Sequence, residues 1–131
     1  MKTTLTISSL TLGGLMLGCL VAATPLLADD KPVLTVYAPE YFTSEWGPGP
    51  AIEKGFEATC GCDLRFVTAG DGAALLARVQ LEGAASAADV VVGIDTNLTA
   101  AARATGLFAP HGQPAVTGLP MAYDDADFLP F

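Results

Sequence analysis

An α/β domain built on a parallel sheet is the fold class this sequence predicts, and three observations predict it. Strand-like and helix-like segments alternate three times between Val33 and Thr105. The run Asp89-Val90-Val91-Val92-Gly93-Ile94 is almost continuously apolar, the pattern of a strand covered on both faces. Short turns of small and acidic residues, above all Gly70-Asp71-Gly72, join strand to helix, and open α/β sheets bind ligands at such junctions. The strict alternation with short connections implies parallel strands and right-handed crossovers.

Val33-Leu34-Thr35-Val36-Tyr37, following Pro32, predicts the first strand. Trp46-Gly47-Pro48-Gly49-Pro50 is too rich in Gly and Pro for regular structure, but Pro50 suits the first position of a helix over 50–59. Ile52 and Phe56, four apart, would share one face of that helix. Asp63–Thr68 alternates as a second strand. A second helix over 72–82 would bury Leu75, Leu76, Val79 and Leu81, turn Arg78 and Glu82 to water, and stop at Gly83. After the third strand, Asp89–Ile94, a helix over 98–105 would start at Thr96 or Asn97 as N-cap and end at Gly106. Residues 107–131 carry four prolines and no periodicity, so no element is expected there.

The chain opens differently. Lys2 precedes an uncharged apolar run, Leu10–Ala23, closed by small residues with a cleavage point after Ala28. This is the pattern of a cleaved secretory signal peptide over residues 1–28, leaving 29–131 as the domain. A retained membrane anchor and a lipoprotein acylated at Cys19, in Leu17-Gly18-Cys19, are the less favoured alternatives.

The net charge is −8, and residues 1–28 contain Lys2 and no acid, so their loss makes the remainder more acidic still. Nucleic acid is thereby excluded as an expected partner, because phosphate contacts need clustered Lys and Arg. A cationic ligand is compatible with this balance, although solubility alone also explains it. Cys60 and Cys62, separated by Gly61, suggest a short disulfide in an exported chain, with two free thiols as the competing state. Two thiols and the distant His111 do not compose a four-ligand metal site, and His111, after Pro110, is expected to be solvated.

The ends of the three strands gather Asp71, Gly72, Asp95, Tyr41 and backbone N–H groups, a set suited to a small polar or cationic molecule. Trp46 is a wall of the site or a loop anchor. Asp71 and Asp95 read equally well as helix caps, and Tyr37 as packing. No serine nucleophile has a plausible His partner, and Gly47-Pro48-Gly49-Pro50 is no dinucleotide-binding fingerprint, since Pro removes donors. No catalytic residue is therefore assigned, and a binding protein is expected rather than an enzyme.

Several motifs in one register resemble the periplasmic thiamine-binding proteins, the substrate-binding components of thiamine ABC importers. They are Lys31–Tyr37, Trp46-Gly47-Pro48-Gly49-Pro50, Phe56-Glu57-Ala58 with Cys60 and Cys62, and Gly70-Asp71-Gly72. Glu82-Gly83, Ala88–Val91, Gly93-Ile94-Asp95, Asn97-Leu98 and Thr105–Ala109 continue the series. The resemblance implies a type II periplasmic-binding-protein fold, of which residues 29–131 would form a partial first lobe of parallel βαβαβα units. It implies capture of thiamine, thiamine monophosphate or thiamine diphosphate for the membrane permease of an ABC importer, with no resident cofactor. Asp71 and Gly72 match the family's ligand-binding pair, and Asp95 and Trp46 match positions near its cleft. Pro39 stands where relatives often carry Tyr, which leaves Tyr41 to supply an aromatic contact.

Relatives are much longer, and the second lobe and its contacts have no counterpart here. The chain is therefore expected to bind thiamine weakly or not at all by itself. The alternatives are a solute-binding protein for iron or a polyamine, and a small secreted interaction domain.

Overall fold

A computed structural model describes residues 31–114, 118 and 125–130. The expected signal peptide over 1–28, and Cys19 within it, lie outside the described residues. Strands β1 (Val33–Ala38), β2 (Asp63–Thr68) and β3 (Val90–Val91) form one sheet in the order β2-β1-β3, with both pairings parallel. The helices are α1 (Glu40–Thr43), α2 (Gly49–Cys60), α3 (Gly72–Glu82) and α4 (Thr99–Ala104). The α/β class and the parallel sheet thus stand as predicted.

β1 and β2 pair along six residues each, from Val33 opposite Asp63 to Ala38 opposite Thr68. Helix α3 covers β1 with Leu75, Leu76 and Val79, and Tyr37, Leu75 and Val79 form the centre of the core. Leu75 is fully buried. The sequence alternation places these residues on one helical stripe, and burying a stripe of this size is the main stabilising term for such a helix.

Four expectations need correction. The third strand is two residues long, although Asp89 N–H to Thr35 C=O and Val92 N–H to Tyr37 C=O extend its bonding to β1. It is an edge strand among the described residues, so Val90 stays 42 % exposed where covering on both faces was expected. Leu81 is 88 % exposed, because it falls outside the stripe set by Leu75 and Val79. Ile52 and Phe56, which share a face of α2 as the spacing predicts, are about half covered, and α2 packs mainly on β2 and α1. Helix α4 begins at Thr99, and neither Thr96 nor Asn97 caps it by side chain: Asp95 accepts from the N–H groups of Asn97 (2.8 Å) and Leu98 (3.2 Å) instead.

Past α4 the described residues form no helix or strand, as expected, but they are tied down. Arg103 pairs with Asp125 (2.7 Å) and Asp127 and lies over the Phe128 ring, which meets Phe108 at 5.5 Å. Two backbone N–H bonds and Arg103 hold the Asp125 carboxyl below its usual range. His111, expected to be solvated, donates from Nε2 to the Asp125 carbonyl while its Nδ1 accepts from Gln113 N–H.

Candidate functional site

Three turns meet at the carboxyl ends of the strands, and backbone holds them together. The first follows β1. Pro39 is fully buried, and the N–H of Glu40 donates to the Gly70 carbonyl of the second turn at 3.0 Å. The second turn opens α3. Asp71 is extended (φ −118°, ψ −173°), and its carboxylate accepts from the Ala74 N–H at 2.9 Å, an N-cap bond. The third turn, Gly93–Asn97, closes against the other two. A Cβ on Gly72 would collide with the Gly93 carbonyl, and a Cβ on Gly93, itself at φ 97°, would lie 2.8 Å from the Pro39 ring. Glycine is required at both places, at Gly72 by a carbonyl and at Gly93 by the Pro39 ring and its own positive φ.

The structure therefore brings together Asp71, Gly72 and Asp95. Tyr41 joins them from α1: its hydroxyl lies beside Gly93, and the residue is 64 % exposed. Trp46 takes no part in these contacts. It stands on the α1–α2 connection, 90 % exposed, where the Gly47 N–H donates to the Ser44 carbonyl. Both carboxylates spend one oxygen on local backbone N–H groups, as the capping reading of the sequence anticipated. Capping fixes their direction, and a carboxylate held at the mouth of a turn is preorganised for a cation.

Small residues bring main-chain groups to the surface, the start of the eleven-residue α3 carries N–H groups, and Asp71, Asp95 and Tyr41 are exposed. Among the described residues no cluster of His, Cys, Asp and Glu could hold a metal ion. Beside the turns, a groove of about 930 Å³ follows the open side of β3, with Asp95 and Thr96 at one end and Phe108 and Phe128 in its wall. Asp71, Gly72 and Tyr41 do not line it.

Sequence reasoning missed two features. Pro39 occupies the centre of the three turns, and only the expected loss of a Tyr at that position drew attention to it. At the other end of α3, the Tyr37 hydroxyl donates to Glu82 (2.8 Å), Arg78 pairs with Glu82 (2.8 Å) and lies over the Tyr37 ring, and Ser86 donates to Glu82 (2.7 Å). Arg78 and Glu82 were expected to face water. They are partly covered instead, and the bonds from Arg78, Ser86 and Tyr37 lower the Glu82 carboxyl to about 2. The four-residue spacing of Arg78 and Glu82 was the available signal.

Cys60 and Cys62 are joined by a disulfide, with Cα atoms 5.2 Å apart across Gly61 in the left-handed region (φ 65°). The bridge lies at the opposite end of the sheet from the turns, where α2 passes into β2.

No family model matches the chain. It is 48 % identical over 105 residues to the thiamine-binding periplasmic protein of Brucella suis, covering 79 % of this chain and 31 % of that one. It is 47 % identical over 113 residues to the protein of the same name from Escherichia coli, covering 86 % and 34 %. The Haemophilus influenzae protein is 38 % identical over 111 residues, covering 83 % and 33 %. A solved periplasmic thiamin binding protein superposes with a TM-score of 0.68 at 46 % identity, covering 73 % of this chain and 30 % of that one. The chain spans about a third of the length of these proteins, all of which are named for binding rather than catalysis. By sequence and by fold alike, the chain is similar over that third to the periplasmic thiamine-binding proteins.

Proposed function

We propose that residues 29–131 act as part of a periplasmic solute-binding lobe. It captures thiamine, thiamine monophosphate or thiamine diphosphate and presents the ligand to the membrane permease of an ABC importer. A cleaved signal peptide over 1–28 exports the chain. The observation that carries this reading is the convergence of Asp71–Gly72, Asp95 and Tyr41 at the strand ends in a chain so similar to proteins named for thiamine.

The roles follow from chemistry. The carboxylates of Asp71 and Asp95 suit a cationic thiazolium, and the N–H groups opening α3 suit a phosphate or the polar edge of the pyrimidine. Tyr41 offers an aromatic face, and Trp46 a second one. These are ligand contacts, with no catalytic group, metal or resident cofactor among them.

One wall buries one side of a ligand, so affinity is expected to be low in the chain alone. Calorimetric titration of the chain with thiamine and its phosphates should give a dissociation constant above about 1 μM. The decisive test is a chimera in which residues 31–130 replace the matching third of the Escherichia coli relative. Thiamine binding that survives the exchange, and is weakened by Asp71→Asn together with Tyr41→Ala, supports the reading. A folded chimera indifferent to both substitutions overturns it.

A further inference from the structure

The α2–β2 junction presents two sulfurs in unlike surroundings. Cys60 is the last residue of α2 and is exposed; Cys62 precedes β2 and is 9 % exposed, part of the core. The Cys62 N–H donates to Cys60 Sγ at 3.1 Å, which keeps the two residues in one turn. Around this turn the fold is held by other bonds. Asp63 N–H donates to the Pro32 carbonyl (2.9 Å), Leu64 N–H donates to Glu57 Oε1 (2.9 Å), and β2 pairs with β1 over its full length. A bridge across one intervening residue closes almost no chain, so its entropic contribution to stability is at the low end. The disulfide can therefore open without releasing β2.

We propose that Cys60 is a site of reversible thiol–disulfide exchange that takes a low-molecular-weight thiol, with Cys62 as the sheltered partner that restores the bridge. An external thiolate attacks Cys60 Sγ, because an incoming sulfur must reach the atom it attacks in line with the bond that breaks. The new bond joins the external sulfur to Cys60. The Cys60–Cys62 bond breaks, its electron pair leaves on Cys62 Sγ, and that sulfur takes a proton from water. In the return step the Cys62 thiolate attacks Cys60 Sγ, expels the external thiolate and closes the bridge. A second external thiolate can instead attack the outer sulfur of the adduct. It forms the external disulfide and leaves Cys60 as a thiol, so two thiols are oxidised and the protein bridge is reduced by two electrons. Burial of Cys62 makes it the poorer leaving group and slows the first step, but attack at Cys62 itself is blocked by the core, so access decides the direction.

The test treats the native chain with 2-mercaptoethanol, quenches with acid, alkylates and maps the peptides, with Cys19 resolved by its own peptide. Adducts on Cys60 and alkylation on Cys62 are expected. Adducts on Cys62, or a bridge that opens only in denaturant, overturn the proposal. A second measurement compares Cys62→Ser and Cys60→Ser against the disulfide of 2-mercaptoethanol. The Cys60 thiol should react at least about tenfold faster than the Cys62 thiol; equal rates overturn the assignment. The peptide map of the unsubstituted chain decides the matter if either variant fails to fold.

Discussion

At its start α3 is held by main chain, and at its end by side chains. Around Asp71 and Gly72 the contacts are mostly carbonyls, N–H groups and glycines, and Asp71 and Asp95 are exposed and bonded locally. Around Glu82 three side chains from β1, α3 and the following turn converge on one carboxylate, which they lower to about 2. The first arrangement leaves functional groups open to a ligand. The second consumes its groups in fastening the helix to the central strand. Loss of Asp71 removes one cap bond, whereas loss of the Glu82 carboxylate would leave Tyr37, Arg78 and Ser86 all without it.

Substitutions at successive points along α3 separate these two ends. Leu75→Ala, at the shared fully buried centre, should loosen both ends and cost about 2–5 kcal/mol in denaturant unfolding. Gly72→Ala should disturb the turns alone, at about 1–3 kcal/mol, because its methyl meets the Gly93 carbonyl. Amide shifts confined to the three turns, with the Glu82 cluster unmoved, would mark that outcome. Asp71→Ala should cost about 1 kcal/mol through its lost cap, while Asp71→Asn retains the cap and should restore most of the stability without the charge. If the two variants are equally unstable, the charge rather than the cap is what α3 needs.

The smallest effect at neutral pH is expected from Tyr37→Phe, since Arg78 and Ser86 still bond Glu82. Its signature lies in acid. The Glu82 carboxyl is lowered in the folded chain, so its contribution to stability is present above the ordinary glutamate range and is lost as pH falls towards about 2. Removing the Tyr37 hydroxyl should raise that carboxyl, narrow this window and bring acid unfolding to higher pH, as carboxyl NMR titration and circular dichroism would show.

How far the sequence was legible follows the same division. β2 and α3 lie at the residues their patterns predicted, because alternation, helical period and the glycines at 72 and 83 are local signals. The length of β3 and the exposure of Ile52, Phe56 and Leu81 depend on which neighbours cover them, and no local pattern states that. At the site, Asp71–Gly72 and Asp95 were visible as strand-end acids. The closure of Gly72 on Gly93 and of Gly93 on Pro39 was not, because each joins segments far apart in the chain. Tyr37 and Glu82 are 45 positions apart, and their hydrogen bond had no sequence signature beyond the Arg78–Glu82 spacing.

The strand order has a consequence for how the sheet is assembled. β1 comes first in the chain yet lies in the middle, so both of its edges wait for partners made later. β2 arrives first and contributes six paired positions, whereas β3 contributes two. Closing the shorter loop gains the longer ladder, so the expected route grows outward from the oldest strand, with the β1–α2–β2 unit forming before β3 docks. Pulsed hydrogen exchange during refolding would show it as early protection of the Asp63 and Ala69 amides, which donate to the Pro32 and Ala38 carbonyls, and late protection of Val92. Until that last step the free edge of β1 is the surface on which a wrong strand can pair.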